Sequence, residues 1–131
     1  MQKQILFVCT GNVFRSMTAK HCLEKQIQDR KIDDLRVDSA GIGVGPDTYI
    51  PLFISDYLVS LGIDISAHKQ KQIEEKHLGE SDLVVAMGKN HQTFIQEHFG
   101  YSSRLFNEVC YGKEISVFDI CEMIPDWEKN M

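Results

Sequence analysis

One stretch near the N-terminus constrains this chain more than any other. The apolar run Ile5-Leu6-Phe7-Val8 ends in a thiol, and Cys9-Thr10-Gly11-Asn12-Val13-Phe14-Arg15-Ser16 turns from it into a helical pattern. A short apolar run closed by a turn containing Gly11 and Asn12 reads as a buried strand. A helix opening at Arg15 and Ser16 aims its unpaired first-turn N–H groups and the positive end of its dipole back to where the strand stops. That point attracts an anion. Arg15 adds a planar guanidinium that can grip two phosphate oxygens at once, and its spacing from Cys9 lets the loop curl until both side chains converge. The sulfur then lies beneath the anion, in surroundings that favour a thiolate, the nucleophilic form.

Two other readings of this stretch are weaker. A nucleotide-binding loop needs Gly-x-x-x-x-Gly-Lys-Ser/Thr, and no lysine follows Gly11 at that place. A lone cysteine ending a hydrophobic strand is commonly just a small buried residue, but Cys9 shares its turn with Gly11, Arg15 and Ser16. The pattern Cys-x5-Arg-Ser directly after the first strand, within Leu6-Phe7-Val8-Cys9-Thr10-Gly11-Asn12, resembles the low-molecular-weight protein tyrosine phosphatases.

At 131 residues the chain is long enough for one domain with a real core, and its 43% hydrophobic and 25% charged residues are those of an ordinary globular protein. Gly11 and Asn12 interrupt the first apolar run too early for a signal peptide, and no later segment is long enough to span a bilayer, so a cytoplasmic protein without a membrane partner is expected. Cys9, Cys22, Cys110 and Cys121 are scattered with no Cys-x-x-Cys pair, which indicates neither a zinc site nor a disulfide framework. A net charge of -5 and the lack of a basic cluster argue against nucleic acid as a partner. Anion recognition must therefore be local.

Taken in order, residues 4–9 read as a strand and 15–30 as a helix, with Ala19, Cys22, Leu23 and Ile27 at helical spacing. A polar connection leads to a second strand, Leu35-Arg36-Val37-Asp38, ending in Ser39-Ala40-Gly41. Gly41, Gly43, Gly45 and Pro46 form a loop expected beside the first turn, because sites in open parallel sheets gather at the carboxyl ends of strands. A helix follows over 49–61, closed by Gly62 in a left-handed cap. A short helix is expected over 70–76, a central strand over 83–87, a helix over 90–98 ended by Gly100, and a last short strand over 104–106.

This alternation predicts an α/β fold, a single-domain doubly wound parallel sheet of four strands. The resemblance implies the strand order 2-1-3-4 with helices on both faces. It extends over most of residues 1–131, through Asp38-Ser39-Ala40-Gly41, Gly62-Ile63-Asp64-Ile65-Ser66-Ala67-His68, Ser81-Asp82-Leu83-Val84-Val85-Ala86-Met87 and Ile124-Pro125-Asp126. The chain stops at Met131, before the C-terminal helix that the family places after this last segment, so a domain shortened at its C-terminus is expected.

For the chemistry, the resemblance implies attack by Cys9, with Arg15 and the loop Thr10, Gly11, Asn12, Val13, Phe14 and Ser16 binding the phosphoryl group. Asn12, Ser16, Ser39 and His68 match its loop-supporting network. Expulsion of a phenolate needs a proton donor on the far side of the phosphorus. The family takes it from a late Asp-Pro step, and Asp126 in Ile124-Pro125-Asp126-Trp127 is the nearest match, although Trp127 replaces the proline; Asp119 is the rival. Other departures are Phe14, where many relatives carry a second, protective cysteine beside the arginine, Met17 in place of proline, and Gly88 in place of aspartate. Tyr49 and Trp127 are candidate walls for an aromatic substrate. Val13 resembles the isoleucine of tyrosine-specific relatives more than the threonine of phosphoarginine-specific ones.

The expected function is hydrolysis of phosphotyrosine in a protein, or of a small aryl phosphate, with inorganic phosphate as product and neither cofactor nor metal. The alternatives are a thiol-dependent arsenate reductase, which would need Cys110 or Cys121 brought near Cys9, and a phosphate-binding module with little turnover. His21, His77, His91 and His98 show no ligand spacing and are expected on exposed helix or loop surfaces.

Overall fold

A computed structural model of the chain describes residues 3–45 and 49–112. Its four strands are β1 (Lys3–Cys9), β2 (Leu35–Gly41), β3 (Leu83–Ala86) and β4 (Arg104–Leu105). All pairings are parallel and the order is β2-β1-β3-β4. This is the doubly wound arrangement expected from the sequence. β1 is paired along both edges, with Cys9 opposite Gly41 on one side and Val8 opposite Ala86 on the other. The carboxyl ends of the strands consequently meet at one rim of the sheet.

Side-chain alternation divides the core between the two faces of the sheet. On one face Leu6, Val8, Ala40 and Val84 pack with Leu78 of α3 (Glu75–Gly79) and Ile95 of α4 (Lys89–Phe99). On the other, Phe7, Cys9, Val37 and Val85 meet Ala19, Leu23 and Ile27 of α1 (Arg15–Asp29) and Phe106 of α5 (Phe106–Tyr111). Three of the four stripe residues seen in the sequence of α1 thus face the sheet. Phe14, Met17 and Cys22, around its other side, pack against Ile54 and Leu58 of α2 (Leu52–Ser60).

Several boundaries differ from expectation. α2 starts at Leu52 because Pro51, extended at φ -58° and ψ 139°, occupies its N-cap. Gly62 (φ 79°) and Gly100 (φ 74°) take the left-handed conformation that ends the two helices. The helix expected over 70–76 begins only at Glu75. Residues 71–73 run extended beside Gly41, whose N–H donates to the Lys71 carbonyl (2.9 Å) and whose carbonyl accepts from Ile73 N–H (2.8 Å). Burial of Ile73 in the core and pairing along the edge of β2 outweigh the polar residues' helical preference. α5, read from the sequence only as the end of a strand, starts directly after β4.

Ile95 has no exposed surface. Ile95→Ala should therefore lower the free energy of unfolding by about 2–5 kcal/mol, read from urea denaturation, without changing the denaturant slope.

Candidate active site

β1 delivers Cys9 to the rim of the sheet, 2% exposed, and residues 10–14 carry the chain round to the start of α1. Asn12 makes this turn possible. Its φ of 58° lies in the left-handed region, which asparagine tolerates better than most residues. Its side chain is fully buried and uses both amide hydrogens and its carbonyl oxygen. Nδ2 donates to Ser16 Oγ and to Ser39 Oγ, both at 2.9 Å, and Oδ1 accepts from Lys71 N–H at 3.2 Å. The Asn12 carbonyl accepts from His68 Nε2 at 2.9 Å. Asn12, Ser16, Ser39 and His68, grouped through the family resemblance, are thus joined through Asn12 here.

Ser16 Oγ lies 2.9 Å from Cys9 Sγ and 3.5 Å from the Ala40 carbonyl. A hydroxyl has one hydrogen to give and, with Asn12 donating to it, its rotation is the remaining freedom. Beside a thiol it can turn to Ala40 and receive the S–H; beside a thiolate it can turn to the sulfur. The same rotor serves both states of Cys9.

The loop leaving β2 lies against this turn. Ile42 N–H donates to the Cys9 carbonyl and Gly43 N–H to the Thr10 carbonyl, both at 2.9 Å. A Cβ on Gly41 would fall 2.4 Å from the Thr10 carbonyl oxygen and 3.1 Å from Asn12 N, so glycine is required here by the close approach of two backbones. Arg15 is the first residue of α1 and half-buried, and no side chain caps that helix at Phe14. Thr10, Gly11 and Val13 are also half-buried, whereas the Phe14 ring packs toward α2. Tyr49 is exposed. Asp126, Asp119, Trp127 and Cys121 lie outside the described residues, so the expected acid loop does too. Among the described residues no three or more His, Cys, Asp or Glu are arranged to hold a metal ion.

The charges behind the turn are ordered by burial. Burial disfavours the Asp38 carboxylate, but the Lys71 ammonium (2.6 Å), Ser39 N–H and Lys20 outweigh it and hold its pKa below the usual range. His68 is pushed below its ordinary pKa by burial, against the pull of the Asn12 carbonyl. Beside it, His21 is lowered to about 4 by burial and by the nearby Lys20 and His68. Its Nδ1 lies 3.2 Å from Glu24, while His21 Nε2 and His68 Nδ1 are buried with no hydrogen-bond partner among the described residues. A proton on either nitrogen would go unsolvated.

Two histidines expected on exposed surfaces are buried instead, His77 at 8% exposure and His91 at 0%. Each stands three residues after a helix N-cap, where its Nδ1 accepts the cap residue's N–H at 2.9 Å. His91 also reaches the turn: its Nε2 lies 2.9 Å from Thr10 Oγ1. The readable signal was a histidine spaced three residues from a helix start, rather than a metal-ligand spacing.

A family model described as low molecular weight phosphotyrosine protein phosphatase matches residues 4–116. The chain belongs to this family. A protein-arginine-phosphatase of Geobacillus stearothermophilus is 32% identical over 99 residues, covering 76% of this chain and 64% of that protein. A low molecular weight protein-tyrosine-phosphatase, Ptp, of Acinetobacter johnsonii is 30% identical over 100 residues, covering 76% and 67%. The matched stretch thus spans about two thirds of these relatives' length. An arsenate reductase of Staphylococcus haemolyticus is 36% identical over 89 residues, covering 66% of this chain and 60% of that protein. Among solved structures, the low molecular weight protein tyrosine phosphatase from T. tengcongensis superposes with a TM-score of 0.79 at 29% identity, over 90% of this chain and 80% or more of its own, namely 82%. The doubly wound sheet is thus the family's fold.

Two outcomes follow for this phosphatase-family scaffold. Gly41→Ala should cost about 1–3 kcal/mol of stability, because the contact it creates is with backbone; calorimetry of the variant beside the parent would check it. The histidine pair sets a pH slope. A folded-state pKa lowered from 6.5 to about 4 at His21 makes the unfolded chain the better proton acceptor in that window, so this contribution is complete above pH 6.5 and is lost as pH falls toward 4. His21→Gln should flatten the dependence of unfolding free energy on pH there, with the loss contributed by Asp38 remaining at lower pH.

Proposed function

We propose that this protein hydrolyses aryl phosphate monoesters, phosphotyrosine in proteins foremost, through a cysteinyl-phosphate intermediate. The observation that carries this reading is the 2.9 Å approach of the Ser16 hydroxyl to Cys9 Sγ at the rim of the sheet, beneath a turn that ends in Arg15 at a helix start. The Cys9 thiolate attacks phosphorus; the S–P bond forms as the bond to the phenolic oxygen breaks. Arg15 and the amides of the turn meet the equatorial oxygens. Asp126 gives its proton to the departing oxygen, then takes one from the water that attacks phosphorus, which releases inorganic phosphate and restores the thiolate. Asp126 is assigned this role from its Ile-Pro-Asp setting, with Asp119 as the rival.

Val13, aliphatic in the middle of the turn, supports an aryl phosphate over phosphoarginine. Relatives named for tyrosine, arginine and arsenate make substrate choice the feature to test. Hydrolysis of an aryl phosphate, of phosphotyrosine and phosphoarginine peptides, and reduction of arsenate with a thiol system should be compared without added metal. Phosphate release from the aryl and tyrosyl substrates is expected. Preference for phosphoarginine, or arsenite formation dependent on Cys110 or Cys121, would overturn the reading.

Cys9→Ser should abolish turnover and still bind phosphate, since Arg15 and the amides remain; Arg15→Lys should be nearly as damaging because a point charge cannot replace the two-pronged contact. Asp126→Asn should slow an unactivated phenyl phosphate by about 10²–10⁴-fold, the range for general acid catalysis, and an activated one far less. If only Asp119→Asn discriminates between leaving groups, the acid is Asp119.

A further inference from the structure

We propose that His91 is a positioning residue that sets the first peptide of the phosphate-binding turn through the Thr10 hydroxyl. For its kinetic meaning this rests on the phosphatase reading. Its geometry stands on the exit of β3. Met87 N–H donates to the Val8 carbonyl at 2.9 Å, Gly88 starts α4 with no side chain of its own to cap it, and His91 folds back to fill that role. Because His91 Nδ1 accepts the Gly88 N–H at 2.9 Å, the ring hydrogen of the neutral imidazole belongs on Nε2. Nε2 therefore donates to Thr10 Oγ1, 2.9 Å away.

Thr10 directly follows the nucleophile, and it is held from both sides. Its carbonyl accepts Gly43 N–H from the loop after β2, and its hydroxyl accepts the His91 hydrogen from α4. A β-branched side chain has few χ1 wells, so fixing Oγ1 fixes the rotamer, and with its carbonyl tied to Gly43 N–H the residue that carries the Thr10–Gly11 peptide is clamped from both sides. That peptide's N–H is the first amide of the turn beyond Thr10. Asn12 holds the middle of the turn from β2 and residues 68–71, while His91 holds its beginning from the other neighbour of β1.

The two nitrogens of His91 do different things, and two amide substitutions separate them. His91→Asn places an amide near Nδ1, keeping an acceptor for Gly88 and losing the reach to Thr10. His91→Gln places an amide nearer Nε2, keeping a donor for Thr10 and losing the cap. Three measurements decide the matter: melting temperature, kcat/KM for an aryl phosphate, and the concentration of inorganic phosphate that protects Cys9 from iodoacetate. His91→Asn should stay close to the parent in melting temperature but weaken phosphate protection and kcat/KM by about tenfold, the worth of one hydrogen bond. His91→Gln should melt lower yet retain protection and kcat/KM more closely. Thr10→Val should match His91→Asn, and the double variant Thr10→Val with His91→Asn should be no worse than either.

Additive losses in the double variant, or parent-like protection in His91→Asn, would overturn the positioning role. So would kinetic losses that only follow the melting temperature across the series. Alkylation reports on binding without turnover. If the parent binds phosphate but does not hydrolyse the ester, the pattern of protection still decides the role of His91 while the phosphatase reading fails. If phosphate gives the parent no protection, both fail together.

Discussion

The rim of this sheet depends on one buried side chain in an unusual backbone conformation. Asn12 sits in the left-handed region at φ 58° and has no contact with solvent. A polar group so placed would be costly if its hydrogen bonds were unmade. Its amide instead joins α1, through Ser16, to β2, through Ser39, and its carbonyl groups reach residues 68 and 71. Three stretches far apart in sequence are tied by one residue, and the shape of the turn is held by the protein's own hydrogen bonds. Preorganisation of this kind is where electrostatic catalysis gains most, because the dipoles need not reorient during reaction.

Much of this was legible because the local and global signals agree. The run Ile5–Cys9, the turn at Gly11 and Asn12, and the stripe Ala19, Leu23, Ile27 together specify a strand, a turn and a helix over one face of a sheet. What escaped was non-local. Nothing in Lys71-Gln72-Ile73 says that its backbone will lie beside Gly41; that depends on an edge brought there by a crossover. Likewise the helix-start spacing of His91 accounts for its cap but not for its reach to Thr10. Its importance arises because α4 starts next to the strand that carries Cys9, a relation visible only once β3 is placed beside β1. The order 2-1-3-4 came from resemblance, since alternation of strands and helices fixes parallelism but leaves the order open.

Histidine chemistry around the turn follows from which nitrogen is satisfied. His68 uses Nε2 as a donor to the Asn12 carbonyl, and His91 uses Nε2 as a donor to Thr10. In both cases imidazole acts as a rigid spacer with a defined tautomer rather than as an acid or base. Burial reinforces this at His68, where the other nitrogen has no partner among the described residues. Neutral rings add no positive charge of their own, so the charged groups beside the turn are Arg15 at the helix start and the Lys20 and Lys71 ammoniums that pair with Asp38.

The pairing of β1 along both edges bears on where this molecule can open. Local unfolding begins where few backbone hydrogen bonds and apolar contacts must be broken, at termini and unpaired edges. Cys9 ends the strand with neighbours on each side, and the bridge between Gly41 and Gln72 covers the outer edge of β2 at the same level. Amide exchange across this rim should therefore demand more than local fraying, because the sulfur is carried on a strand held along both edges. Exposure of that thiol to large reagents would then be governed by the width of the opening at the rim and not by breathing of the sheet beneath it.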